Sequence, residues 1–186
     1  EVQVVDPATP IKDPAAVEAE GVAARDTALS NLAPAFAALT KATAAKAIAG
    51  GGSAKDQTSL VTAFGPTEVS VPVGGTVSWT VIGPHSIAFN APADAQSVRQ
   101  PAGKVIHLSA KAFVPAGGPG GQPGDQNPPA VINGGSWNGQ GFRSSGVIFG
   151  PPPPKSTVFT LTFSKAGTYT FQCTVHEDMK GTVKVS

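Results

Sequence analysis

Sulfur and histidine are scarce in this chain: 186 residues include one Cys, one Met and three His. A single cysteine excludes an intramolecular disulfide, and cysteine counting then assigns no redox compartment. Charge is scarce as well, at 13% of residues with a net of +1, so no global excess marks a nucleic-acid partner or an anionic membrane surface. No apolar run approaches the roughly 18 residues of a membrane-spanning helix. No basic segment followed by an apolar one stands at the start; either the protein is never exported or, as is expected, Glu1 begins a mature chain whose signal peptide is already removed. Glycine (22 residues) and proline (18 residues) are abundant instead, which predicts many turns and at least one long irregular segment.

The length suits one ordinary domain plus added structure. The first stretch is Ala-rich. Asp13-Pro14 reads as a helix start, with Asp as N-cap and Pro at the first helical position, where a missing N–H costs nothing. Val22, Leu29, Leu32, Phe36 and Leu39 supply the larger apolar side chains, and the steps of three and four from Leu29 mark one helical face. The helix is expected to run to about Ile48, kinked or divided at Pro34 and ended by Gly50-Gly51-Gly52. Residues 1–58 are therefore expected to form a helical extension with a Gly-rich linker, its apolar face packed on the main domain or docking on a partner.

From about Leu60 the period changes to two. Val77, Trp79 and Val81 alternate with Thr76, Ser78 and Thr80, and Phe159, Leu161 and Phe163 alternate with Thr160 and Thr162. Further strands are expected over 68–71, 86–89, 169–173 and 183–185. Residues 59–186 thus read as all-β, a sandwich or barrel. Over about 91–152 a Gly/Pro-rich loop insertion is expected, with a strand only at Lys104–Leu108, because proline cannot donate to a ladder. Trp79 is expected in the core and Tyr169 at a strand corner, whereas the pattern leaves Trp137 open.

The chemistry concentrates in Tyr169-Thr-Phe-Gln-Cys173-Thr-Val-His176-Glu-Asp-Met179-Lys-Gly181. This string holds the only Cys, the only Met and one of the three His. A lone Cys is usually a small hydrophobe and a lone Met a gap-filler, but chance placement of all three at ligand spacing by a strand end is a poor account. Thiolate, imidazole and thioether together suit copper, which takes two His and one Cys in a plane with a weak axial Met. The loop supplies Cys173, His176 and Met179, and the missing imidazole is expected from His85 in the turn Gly83-Pro84-His85-Ser86. A Cys173–His176 nucleophile and base pair lacks a third orienting group, and structural zinc prefers more thiolates or imidazoles at other spacings. His107, in Lys104-Val-Ile-His-Leu-Ser, reads as a structural residue of a strand-like run.

The chain resembles the cupredoxins of the plastocyanin, halocyanin and amicyanin group. The resemblance lies in Val71-Pro-Val-Gly-Gly-Thr-Val-Ser-Trp79, Pro84-His85-Ser-Ile, Ser145-Gly146-Val-Ile, Phe159-Thr-Leu-Thr-Phe163, Gly167-Thr-Tyr169-Thr-Phe-Gln-Cys173, His176 and Met179-Lys-Gly-Thr-Val. The spacing from Cys173 through His176 to Met179 is similar to the short loop of amicyanins. The resemblance implies an eight-stranded Greek-key β-sandwich with one type 1 (blue) copper ion at one end. It implies single-electron transfer through the edge of His176, in the periplasm or outside the cell, to a cytochrome or another copper protein. A copper carrier or storage protein with the same ligands is the alternative. Copper enzymes need further His clusters, and only His107 is left over, so an enzyme is not expected. Three features depart from the family: Ser86 stands where Asn is frequent, Glu177 and Asp178 flank His176 where apolar residues are usual, and neither the helical N-terminus nor most of 91–142 matches its simple members.

Overall fold

A computed structural model describes residues 12–96, 98–99, 107–118, 130–150 and 156–186. Helix α1 spans Pro14–Thr40, with Asp13 accepting a hydrogen bond from Ala15 N at 2.7 Å, as the Asp-Pro start predicts. Pro34 lies inside the helix without dividing it. Leu32 and Leu39 are buried against Val61, together with Ala35, while Val17, Val22, Leu29 and Phe36 are exposed. No helix among the described residues is long and apolar enough to cross a membrane.

The helix stops at Thr40 rather than near Ile48, because residues 47–52 form strand β1 (Ala47–Gly52). A glycine run is as suitable for a strand crowded on both faces as for a helix stop, and here pairing with neighbouring strands decides. Strand β1 pairs antiparallel with β2 (Leu60–Gly65) and parallel with β4 (Thr76–Val81), setting Ala47 beside Trp79. The first sheet continues through β12 (Thr157–Phe163) to β9 (Val131–Trp137). The second sheet runs β10 (Arg143–Ser144), β6 (Ala88–Phe89), β13 (Gly167–Gln172), β14 (Lys180–Val185), β3 (Glu68–Val71). Two short ribbons pair β5 (Gly83–His85) with β11 (Ile148–Gly150) and β7 (Val98–Arg99) with β8 (His107–Leu108). A second helix, α2 (Ala110–Phe113), is a single turn.

The two five-stranded sheets form the expected Greek-key sandwich around one core. Val77, Trp79 and Val81 have no exposure, and Phe159, Leu161 and Phe163 face them from β12, as period-two alternation requires. Trp79 packs edge-on against Phe171 at 5.4 Å and Phe89 at 6.2 Å between ring centroids, an arrangement that adds about 1 kcal/mol per pair to area burial. Trp137 also belongs to the core, 4.9 Å from Phe89, with its indole N–H donating to Gln140 O at 2.7 Å. Tyr169 occupies its strand corner and donates from its hydroxyl to Lys165 O at 3.0 Å.

The stretch read as one long loop is not all loop. Val131–Trp137 is a seven-residue strand paired with β12, and 143–144 and 148–150 are short strands. The Asn-Gly-Gly in its middle hides β9 from a propensity reading, while the parallel ladder to β12 supplies the pairing. Of the strand expected at Lys104–Leu108, His107–Leu108 is formed and residues 104–106 lie outside those described.

Candidate metal centre

Val81 ends a core strand, and the chain turns through Gly83, at φ +91°, into the β5–β11 ribbon. The register of that ribbon sets His85 opposite Ile148 and leaves it with no solvent exposure. Cys173 follows directly on β13 and is equally buried. The chain from Cys173 to Met179 then closes on itself. Cys173 N–H donates to Met179 O at 2.9 Å, and Met179 N–H donates to His176 O at 3.2 Å, just before Lys180 opens β14. Met179 is buried, His176 is half-buried, and Glu177 and Asp178 are exposed.

These elements bring three of the four expected ligands to one point. Cys173 Sγ is 3.5 Å from His176 Nδ1 and 4.0 Å from His85 Nδ1, and one donor atom of each residue lies within 4.8 Å of the others. An ion held at about 2.0–2.3 Å by nitrogen and sulfur in a trigonal plane needs a sulfur–nitrogen separation of about 3.7 Å, which the two sulfur–nitrogen distances bracket. The imidazoles are in the ligating form. Burial pushes His85 down to about 4, aided by neighbouring His176, and burial also lowers His176. Both rings are therefore neutral at pH 7 with a lone pair to give. Softness, spacing and protonation agree. The donor set fits a type 1 copper site.

Solved structures of similar fold include a cupredoxin, a plastocyanin and an auracyanin. A purple cupredoxin from Nitrosopumilus maritimus is 22% identical, with 76% of this chain and 99% of that one covered at a TM-score of 0.35. Plastocyanin from Dryopteris crassirhizoma is 25% identical, with 76% and 100% covered at 0.37. Auracyanin from Roseiflexus castenholzii is 21% identical, with 77% and 98% covered at 0.35. No protein-family model and no curated protein matches the sequence. The type 1 assignment rests on the donor atoms, not on these superpositions.

Around the type 1 site, Ser86 does what a longer amide side chain could do, by another route. Its backbone N–H points at Cys173 Sγ at 3.5 Å. Its hydroxyl oxygen accepts from Thr174 N at 2.8 Å and lies 2.8 Å from Thr174 Oγ1. Thr174 Oγ1 donates to Ala112 O in α2 at 3.1 Å. Thr174 has one hydroxyl proton, spent on Ala112, so Ser86 is the donor between the two hydroxyls. The Ser86 hydroxyl is then turned from the sulfur, 3.9 Å away, and the backbone N–H at 3.5 Å is the closer donor to it. Ser86 was marked by its place after His85. Nothing in the sequence ties Thr174 to Ala112, 62 residues away. His107, expected to be structural, sits in the β7–β8 ribbon opposite Arg99.

Proposed function

We propose that this chain is a mononuclear type 1 copper protein that passes single electrons between redox partners, with copper held by His85, Cys173, His176 and Met179. The observation that carries it is the convergence of two neutral imidazoles and the only cysteine at ligand spacing, with a single half-exposed member, His176. Copper supplies one-electron chemistry by alternating between Cu(I) and Cu(II). The protein's part is to fix the donors. Two of them have no solvent exposure, the ribbon register holds His85, and the backbone bonds of 173–179 hold the loop. Donors fixed before metal arrives need little rearrangement when charge changes, which favours electron transfer over delivery of the ion.

His176 is the edge through which an electron reaches a docked partner, such as a cytochrome or another copper protein. Glu177 and Asp178 beside it give that rim two exposed acidic groups. We read the protein as an electron shuttle rather than an enzyme, working in the periplasm or outside the cell. The test is an absorption spectrum of the copper-loaded protein. An intense visible sulfur-to-Cu(II) band that disappears on reduction is expected, and a colourless Cu(II) complex would sink the proposal. Copper exchange with a chelator separates carrier from shuttle, because a delivery protein releases Cu(I) on a functional timescale and an electron shuttle does not.

A further inference from the structure

We propose that Gly50 and Gly83 are positioning residues for His85, forming a cradle that fixes the imidazole by shape. The copper arm of this inference rests on the function proposed above, while its metal-free arm does not. Strand β1 pairs Ile48 with Gly65 and Ala49 with Phe64, then Gly51 with Val61, so that the single Gly50 stands opposite two residues of β2, Thr62 and Ala63. The bulge is thus on β2, and Gly50 meets it with φ +82°, a conformation open to glycine without steric cost. Such bulges bend a strand and re-aim what lies beside it, and the neighbour here is His85.

A Cβ on Gly50 would overlap His85 Nε2 and Cδ2 and the carbonyl of Ile82. The imidazole therefore occupies the volume that any side chain at position 50 would need. Gly83, at φ +91°, closes the same edge of the ring, since a Cβ there would lie 3.3 Å from Nε2. Nδ1 is the nitrogen near Cys173 Sγ, so the Nε2 edge turns from the donor cluster toward this glycine wall. A ligating histidine commonly gives its second N–H to an acceptor that fixes the ring. Here the Ile82 carbonyl approaches buried Nε2 as a weak acceptor, and no hydrogen bond of good geometry reaches this nitrogen among the described residues. Packing against two glycines adds a steric constraint to that weak contact. The wall cannot retreat, because on its far side Gly51 lies against Ala35 of α1, where a Cβ would come within 2.9 Å of the alanine methyl. The helical extension thus stands directly behind the first ligand.

The experiment compares Gly50→Ala, Gly83→Ala and Gly74→Ala. Gly74 also has φ +82° but open space where a Cβ would stand, so it carries the backbone strain without touching the site. Long-range 1H–15N spectra of the histidine rings in the metal-free chain give the first readout. Copper affinity, by competition with a chelator, gives the second. Gly50→Ala is expected to displace the His85 ring signals and weaken copper binding about 10- to 100-fold. Gly83→Ala should act in the same direction and less, and Gly74→Ala should match the wild type in both readouts. If Gly50→Ala does not fold, Gly83→Ala decides, since neighbours can absorb a 3.3 Å contact. Ring signals and affinity in Gly50→Ala and Gly83→Ala no different from Gly74→Ala overturn the cradle. A wild-type protein without the visible band overturns the copper reading instead, and the ring spectra still test the cradle.

Discussion

His85 and the segment Cys173–Met179 meet at one point from two different kinds of structure. His85 stands on a paired ribbon, has no solvent exposure, and is backed by glycine backbone on its Nε2 edge. The segment from Cys173 is a short loop closed by its own backbone bonds, with His176 half-buried and Glu177 and Asp178 in solvent. The difference separates two tasks. One side holds an imidazole where it cannot turn, and the other carries sulfur inward and presents one imidazole edge outward. A redox centre needs both, because a fully buried site exchanges electrons poorly and a fully open one rearranges with each change of charge.

The sharpest break removes the sulfur. Cys173→Ala takes away the only thiolate and should eliminate the visible band of the copper-loaded protein entirely, while Ser86 and Thr174 keep their hydroxyl contacts and the fold persists. Absorption and far-UV circular dichroism on one sample check both halves of that expectation.

Truncating the two imidazoles in turn tests the division itself. His85→Ala opens a cavity at a fully buried position and should destabilise the metal-free protein by about 2–4 kcal/mol in urea unfolding. His176→Ala, at a half-exposed loop position, should cost no more than about 1 kcal/mol. Added imidazole should restore the visible band in His176→Ala, where solvent reaches the gap, and fail in His85→Ala. Equal costs and equal rescue would erase the distinction between a fixed and an open side.

Acid should act mainly through the buried side. The folded-state pKa of His85 is lowered from 6.5 to about 4 by burial, with His176 adding to it. Between those values the unfolded chain binds a proton that the folded chain refuses, so stability of the metal-free protein is full above about pH 6.5 and falls as pH drops toward 4. The loss amounts to about 3 kcal/mol at most. His176 shifts in the same direction from burial. Urea midpoints across this range should flatten in His85→Ala and keep most of their slope in His176→Ala.

The same two sides differ in how far the sequence discloses them. The loop was legible because its chemistry is written in consecutive residues: Cys173, His176 and Met179 at ligand spacing after an alternating strand. His85 was legible as the donor that completes the set, and the Val77–Trp79–Val81 alternation located the core strand that delivers it. The wall behind His85 was not. Gly50-Gly51-Gly52 carries the local signature of a helix stop, and only the non-local pairing of β1 with β2 and β4 turns it into a strand against the ligand. Strand β9 was hidden for a related reason: its Gly pair weakens local preference, and the ladder to β12 supplies what propensity lacks. Residue chemistry is local and can be read in order, whereas close approach between backbones depends on partners far along the chain.

A modest effect is expected where the two sides are tied together. Thr174 joins Ser86, next to His85, to Ala112 in α2, through hydroxyl contacts of 2.8 and 3.1 Å. Thr174→Val keeps the shape and removes the hydroxyl, leaving the Ala112 carbonyl short of a buried donor and the Ser86 hydroxyl short of its acceptor. Unfolding of the metal-free protein should show a loss of about 1–2 kcal/mol. The redox consequence has a definite sign. Freed from Thr174, the Ser86 hydroxyl has Cys173 Sγ, 3.9 Å away, as its nearest remaining acceptor, and a second hydrogen bond there withdraws electron density from the sulfur. Less donation disfavours Cu(II) more than Cu(I), so the reduction potential should rise. Thr174→Ser, which restores the hydroxyl, should return both stability and potential toward the wild type. A potential unmoved in Thr174→Val would mean that the tether serves stability alone and that the thiolate is tuned only by the backbone N–H of Ser86.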